Sequence, residues 1–267
     1  MITDEQLAAY ERDGAVIIDG PFVNDPAALA VLEAGFDQLH EAAQRSKAIP
    51  AYDEPAYVSC VSNPFFEAVA KRVLRAEEVG LFWGAGSQHA RLPSEPPYSP
   101  WREQWGGGHV DIQATLDDFE ATPRRMRCEL WHWINDVPAH RGAMRVLLGS
   151  HRSSMRQWSA ALAPEHKCML PRVHGLRPSP APNAPAFPEH VPPPDDGGPP
   201  WEEREPTPMV CKAGQILVLC STTLHQAWSN EDSVTRKALG GGGWVAKGVP
   251  CGLPPDQLSQ MAEFMRS

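Results

Sequence analysis

The apolar positions of this chain change period partway along it. Near the N-terminus they recur at helical spacing. Thr3 stands where an N-cap is expected, and Gln6 follows three residues on, the spacing of a capping box. The spacing predicts a helix to about Asp13, with Gly14 free to take the left-handed position after it. Ala15-Val16-Ile17-Ile18 reads as a short strand. Asp25-Pro26 opens a second helix reaching roughly Arg45, with Leu29, Val31, Leu32, Phe36 and Leu39 as its apolar stripe. Asn63-Pro64 opens a third, over residues 65 to about 74.

From Val79 onward short apolar runs appear, broken by Gly and Pro. Strands are predicted over residues 80–83, 88–92, 109–113, 127–134, 143–147 and 215–220, then a run reaching His225, then 238–246. Helices first and many short strands afterwards indicate an α+β fold. Strands at this spacing fit a double-stranded β-helix, a cupin-like jelly roll, with the N-terminal helices packed on its major sheet. A length of 267 residues is read as a single domain over 1–267. A proline-rich insertion at about 171–208 interrupts it. Proline lacks the ladder donor, so this segment is no sheet interior. It falls between the region of Asp111 and that of His225, as a flap over a cavity mouth or as a plain surface excursion.

Composition narrows the partners. Hydrophobic residues make up 42% of the chain, enough for a sizeable core, and the formal net charge is −9. An acidic balance argues against nucleic acid and anionic membranes, which need a basic surface. The N-terminus lacks the basic and apolar regions of a signal peptide, and no apolar run reaches the length of a membrane span. The six cysteines are scattered without a C-x-x-C, and Cys128, Cys211 and Cys220 read as core thiols. The expected compartment is the cytoplasm and the expected partner a small-molecule substrate.

The candidate chemistry begins at His109 and Asp111, two apart after Gly106-Gly107-Gly108. In an extended segment both side chains leave the same face, with Gln113 beside them. His225, from a distant strand, completes a two-histidine, one-carboxylate set. Non-haem Fe(II) oxygenases use that set because it leaves three metal positions open. Arg236 follows His225 by eleven residues. Its fork of donors suits the carboxylate of a planar diacid. Along 127–134, alternation puts Arg127, Glu129, Trp131 and Trp133 on one face. That face suits a cavity wall, unless Arg127 and Glu129 close on each other as a buried ion pair. Cys128, Leu130, His132 and Ile134 form the other face, with His132 as a satisfied core histidine. Arg124, Arg125 and Arg127 read as a solvated basic face, or as a receiver for an acidic or CoA-like group. His89 is a further residue placed near the site.

The ordered series is more specific than any of its parts. It runs from His109-Val110-Asp111 through Trp131-His132-Trp133 and Gly142-Ala143-Met144-Arg145-Val146-Leu147-Leu148-Gly149-Ser150-His151. It continues with Ala213-Gly214-Gln215, His225 and Arg236. This series, from about Ile2 to Val245, resembles the phytanoyl-CoA dioxygenase family. The resemblance implies Fe(II) on His109, Asp111 and His225, with 2-oxoglutarate and O2 as co-substrates. It also implies Arg236 on the C5 carboxylate of 2-oxoglutarate and Trp131 lining the co-substrate cavity. Gln88 or Arg91 would meet the other end of that molecule. The implied activity is a dioxygenase that hydroxylates a small organic molecule and releases succinate and CO2. Arg127, Glu129, Trp133 and Gln113 would face an amphipathic substrate. Halogenating relatives lack the metal carboxylate, so Asp111 points to hydroxylation. The chain departs from the family at Leu148 (usually proline), Gln215 (usually aspartate) and Ala227 (often a small hydroxyl residue). The competing class is a metal-binding jelly roll without oxygenase activity, an isomerase or a binding module, and Arg236 counts against it.

Overall fold

The structure is a computed structural model that describes residues 1–46, 53–94, 110–111, 114–161, 194, 196–199 and 201–248. His109, Gln113 and residues 171–193 of the proline-rich insertion lie outside the described residues, as does the side chain of Gln88.

Helix α1 (Asp4–Asp13) carries the expected capping box, and Gly14 closes it at φ 76°. Strand β1 (Ala15–Asp19) follows, then α2 (Pro26–Ser46), α3 (Pro55–Val61) and α4 (Pro64–Leu74). The remainder is β2 (Val79–Arg91), α5 (Leu116–Glu120), β3 (Cys128–Trp133), β4 (Arg145–Val146), α6 (Ser150–Ala161), β5 (Thr207–Pro208), β6 (Gln215–Cys220), β7 (His225–Gln226) and β8 (Arg236–Ala246). The strands form a five-stranded sheet ordered β1-β6-β3-β8-β2 and a three-stranded sheet ordered β5-β4-β7. Every pairing is antiparallel.

Strand alternation divides the core. Trp131, Trp133, Leu217 and Leu219 of the major sheet pack with Val146 of the minor sheet, filling the space between them. Cys128, Leu130, Ile216, Val218 and Cys220 point the other way, onto Tyr10 of α1 and Phe66, Val69 and Val73 of α4. Leu32, Phe36 and Leu39 of α2 and Tyr57 of α3 cover Ile134 and Leu239. The result is the expected jelly roll with N-terminal helices on its major sheet. Among the described residues no helix is long and apolar enough to cross a membrane. Cys128, Cys211 and Cys220 are buried and free, as core thiols should be.

Several elements differ from the sequence expectations. The two strands expected over 80–83 and 88–92 are one strand, β2. Glycines that read as a break instead accompany register shifts between Leu81 and Trp83 and between Ala85 and Gln88, as glycine in a strand often does. Asp111 sits in a bend, not a strand. Its N–H leaves the ladder pattern to donate to the Ser221 carbonyl at 2.7 Å. The strand expected over 143–147 shrinks to Arg145–Val146, and Ser150-His151 opens α6. In β8, a Cβ on Gly241 would lie 2.9 Å from the Phe66 ring and 3.0 Å from the Leu130 Cβ, so glycine lets α4 close onto the strand.

The basic cluster is a set of ion pairs rather than a solvated face. Arg124 is fully buried, donating to Glu11 and to the Phe119 and Val73 carbonyls. Arg125, part-exposed, pairs with Asp118, and buried Arg127 with Glu129. His132 lies in the core against the rings of Phe22 and Phe66. It is not the satisfied histidine expected, because its Nε2 has no hydrogen-bond partner among the described residues.

Burial lowers the pKa of His132 to about 4. Burial also lowers His151 to about 4, although its Nε2 lies 3.2 Å from the Glu11 carbonyl oxygen. Both rings are held neutral, while the unfolded chain takes up protons below about pH 6.5. The histidine contribution to stability therefore falls as pH drops from about 6.5 to about 4 and levels off below, each histidine costing roughly 3 kcal/mol. Chemical denaturation across this range should show the slope, and His132→Leu should remove about half of it. Gly241→Ala should lower unfolding free energy by about 1–3 kcal/mol through overpacking against Phe66, measurable in the same assay.

Candidate metal centre

Two of the three sequence-predicted ligands fall within the described residues, and the structure brings them together. Asp111 and His225 are both buried, and His225 Nε2 lies 3.7 Å from Asp111 Oδ2. His225 opens β7 opposite Val146 of β4, which faces the space between the sheets. Cross-strand partners share a face, so the imidazole enters the same space. Its Nδ1 is 2.8 Å from the Thr223 carbonyl oxygen. A carbonyl only accepts, so Nδ1 carries a hydrogen, and Nε2 is the nitrogen that faces Asp111. Neighbouring ligands on an octahedral first-row ion, each about 2.1 Å from it, stand roughly 3 Å apart. An imidazole nitrogen and a carboxylate oxygen facing each other near that separation fit such an ion.

The inner face of strand β3 lies between the two sheets. Glu129 is buried with Arg127 as an ion pair, and Ser221 Oγ lies 3.1 Å from Glu129 Oε1. Arg127 and Glu129 thus close on each other, the second of the two readings of this face. Burial pushes the Glu129 carboxyl above its ordinary range, and the negative charge of Asp111 adds to the rise; Arg127 and Ser221 offset part of it. Two residues deeper, the Trp131 ring meets His89 edge-on with centroids 4.3 Å apart. His89 thus stands beside Trp131, an aromatic partner 42 positions away in sequence.

Arg236 lies at the Trp133 end of this strand. Its guanidinium sits 5.4 Å from the centre of the Trp133 ring and donates to the Gly142 carbonyl at 2.7 Å. Register places Arg91 directly opposite Arg236 and His89 opposite Ala238. Arg91 is thus beside Arg236 on the neighbouring strand, and its Nε donates to the Trp228 carbonyl at 3.0 Å. Gln88 pairs with Leu239 along the backbone. Gln215, in place of the family's aspartate, still caps its turn, accepting from the Lys212 N–H at 2.9 Å.

A family model described as "Phytanoyl-CoA dioxygenase (PhyH)" matches residues 10–238. No curated protein matches the sequence. Among solved structures, the chain is similar to the non-heme alpha ketoglutarate dependent carbocyclase SnoK from nogalamycin biosynthesis. That match has a TM-score of 0.59 at 18% identity, over 97% of this chain and 90% of that one. The epimerase SnoN, from the same biosynthesis, gives 0.55 at 17% identity, covering 91% and 82%. HygX from Streptomyces hygroscopicus, with nickel and 2-oxoglutarate bound, gives 0.55 at 13% identity, covering 93% and 88%. At these identities the likeness is one of fold. The family match spans most of the chain, and the chain belongs to the phytanoyl-CoA dioxygenase family of Fe(II)- and 2-oxoglutarate-dependent oxygenases.

Proposed function

We propose that this oxygenase hydroxylates a small organic molecule, with Fe(II) held by His109, Asp111 and His225. The observation that carries the metal assignment is the orientation of His225. Thr223 takes the Nδ1 hydrogen, and Nε2 faces Asp111 at 3.7 Å. When bound, the iron with 2-oxoglutarate and O2 supplies the oxidation, turning R–H into R–OH with succinate and CO2 as the other products.

The protein's part is ligation, orientation and exclusion of water. Arg236 fixes the C5 carboxylate of 2-oxoglutarate through charge-assisted hydrogen bonds in a buried setting, where they are strong. Arg91 belongs to that same end by register. Trp131 and Trp133 line the co-substrate, one against His89 and the other against Arg236. Arg127 and Glu129 lie further along the wall, beyond Trp131, and with Gln113 they face the substrate. A paired guanidinium and carboxylate between aromatic and metal-binding groups suit an amphipathic molecule with polar substituents. The carbocyclase and epimerase among the structural neighbours make product identification part of the test.

Anaerobic addition of Fe(II) and 2-oxoglutarate should give a visible charge-transfer band. Asp111→Ala should abolish both the band and succinate formation. Arg236→Ala should raise the KM for 2-oxoglutarate on the order of 100-fold, the loss of a charge-assisted pair worth about 3 kcal/mol. Succinate formation unaffected by either substitution would refute the assignment. A band without succinate, across a broad substrate panel, would favour a metal-binding jelly roll that lacks oxygenase activity.

A further inference from the structure

Both described metal-site residues are anchored by one short turn. The Asp111 N–H donates to the carbonyl of Ser221 at 2.7 Å, and His225 Nδ1 to that of Thr223 at 2.8 Å. Ser221, Thr222 and Thr223 are fully buried, and the Thr223 N–H closes the turn on the Cys220 carbonyl at 2.8 Å. Three polar residues in such a place must be justified by their hydrogen bonds. Ser221 Oγ donates to the Arg127 carbonyl at 2.8 Å, and Thr222 Oγ1 lies 3.2 Å from Cys220 Sγ. Thr223 Oγ1 donates to the Gly14 carbonyl at 2.9 Å. That carbonyl also accepts the Cys220 N–H at 2.8 Å, so the residue that closes α1 holds the turn at two points. The approach is close: a Cβ on Gly14 would lie 2.4 Å from Thr223 Oγ1 and 2.6 Å from His151 Nδ1, and φ there is +76°. Just beyond the turn, the Leu224 N–H donates to Ser150 Oγ at 2.9 Å.

We propose that Thr223 is a positioning residue for the metal centre: its hydroxyl, docked on Gly14, fixes the carbonyl that orients His225, and the turn from Ser221 to Thr223 sets the gap between His225 and Asp111. The metal reading of the preceding subsection is the premise. Hydrogen bonds of this kind fix the tautomer and ring direction of a metal-binding histidine, and their loss weakens metal binding by roughly 10- to 100-fold. The Thr223 hydroxyl acts one step further out, by holding the acceptor in place.

The test compares wild type, Thr223→Val, Thr223→Ser and Asp111→Ala as full-length proteins titrated with Co(II) alone. Calorimetry reads affinity, the visible Co(II) absorption reads geometry, and thermal unfolding is followed in parallel. Thr223→Val keeps the shape and removes the hydroxyl, so Co(II) should bind about 10-fold more weakly with an altered spectrum. Thr223→Ser restores the donor and should return both toward wild type. Valine binding Co(II) as tightly as wild type, with an unchanged spectrum, would overturn the proposal even if its melting temperature fell. Should Thr223→Val not fold, Ser221→Ala takes its place: it leaves the Ser221 carbonyl and removes the tie to Arg127. Weaker Co(II) binding by that variant supports the proposal and unchanged binding overturns it. A wild-type protein that bound no Co(II) would remove the metal reading and this proposal together. Tight wild-type binding lost only in Asp111→Ala would remove this proposal alone.

Discussion

His225 gives its Nδ1 hydrogen to a backbone carbonyl, and the candidate site rests on that bond. Strand β7 is two residues long, too short for ladder pairing to fix a side-chain torsion. The ring direction comes from the buried turn that precedes the strand. That turn has no apolar side chains to pack, so hydrogen bonds hold it against its neighbours. They reach β3 through Arg127, α1 through Gly14 and the start of α6 through Ser150. His225, on a short strand, thereby gains the rigidity of the long sheet and the first helix.

The inner face of β3 is graded in chemistry. Charge lies at one end, in the Arg127–Glu129 pair, and a second guanidinium at the other, over Trp133. The aromatic surface of Trp131 and Trp133 separates them. The two guanidiniums are held differently. Arg127 pairs with an adjacent carboxylate, whereas Arg236 donates to the carbonyls of Gly142 and His89.

Much of this was legible in the sequence because it depends on local rules. The capping box at Thr3 and Gln6, the glycine closing α1 and the stripe on α2 follow from backbone geometry and helical period. The faces of β3 follow from alternation, which separated Trp131 and Trp133 from Cys128 and Leu130. What escaped depends on partners distant in sequence. Nothing near Arg124 announces Glu11, and nothing near Thr223 announces Gly14. Opposite charges two apart on one strand, at Arg127 and Glu129, did signal a possible pair, and here the signal was local. Glycines misled at β2, since a residue that ends one strand can bulge another. Asp111, expected in a strand, stands in a bend, where its N–H donates to the distant Ser221 carbonyl.

The suspension of the metal-site turn from Gly14 also bears on the order of assembly. Strand β1 pairs with β6, and Gly14 meets Thr223 across 209 positions of sequence. The first strand to leave the ribosome must wait for nearly the last before it has an edge to pair with. Contacts of such separation carry a large loop-closure cost and form late. Closing that separation of 209 positions ties the seating of the first helix to that of His225, so a change at either place is felt at the other.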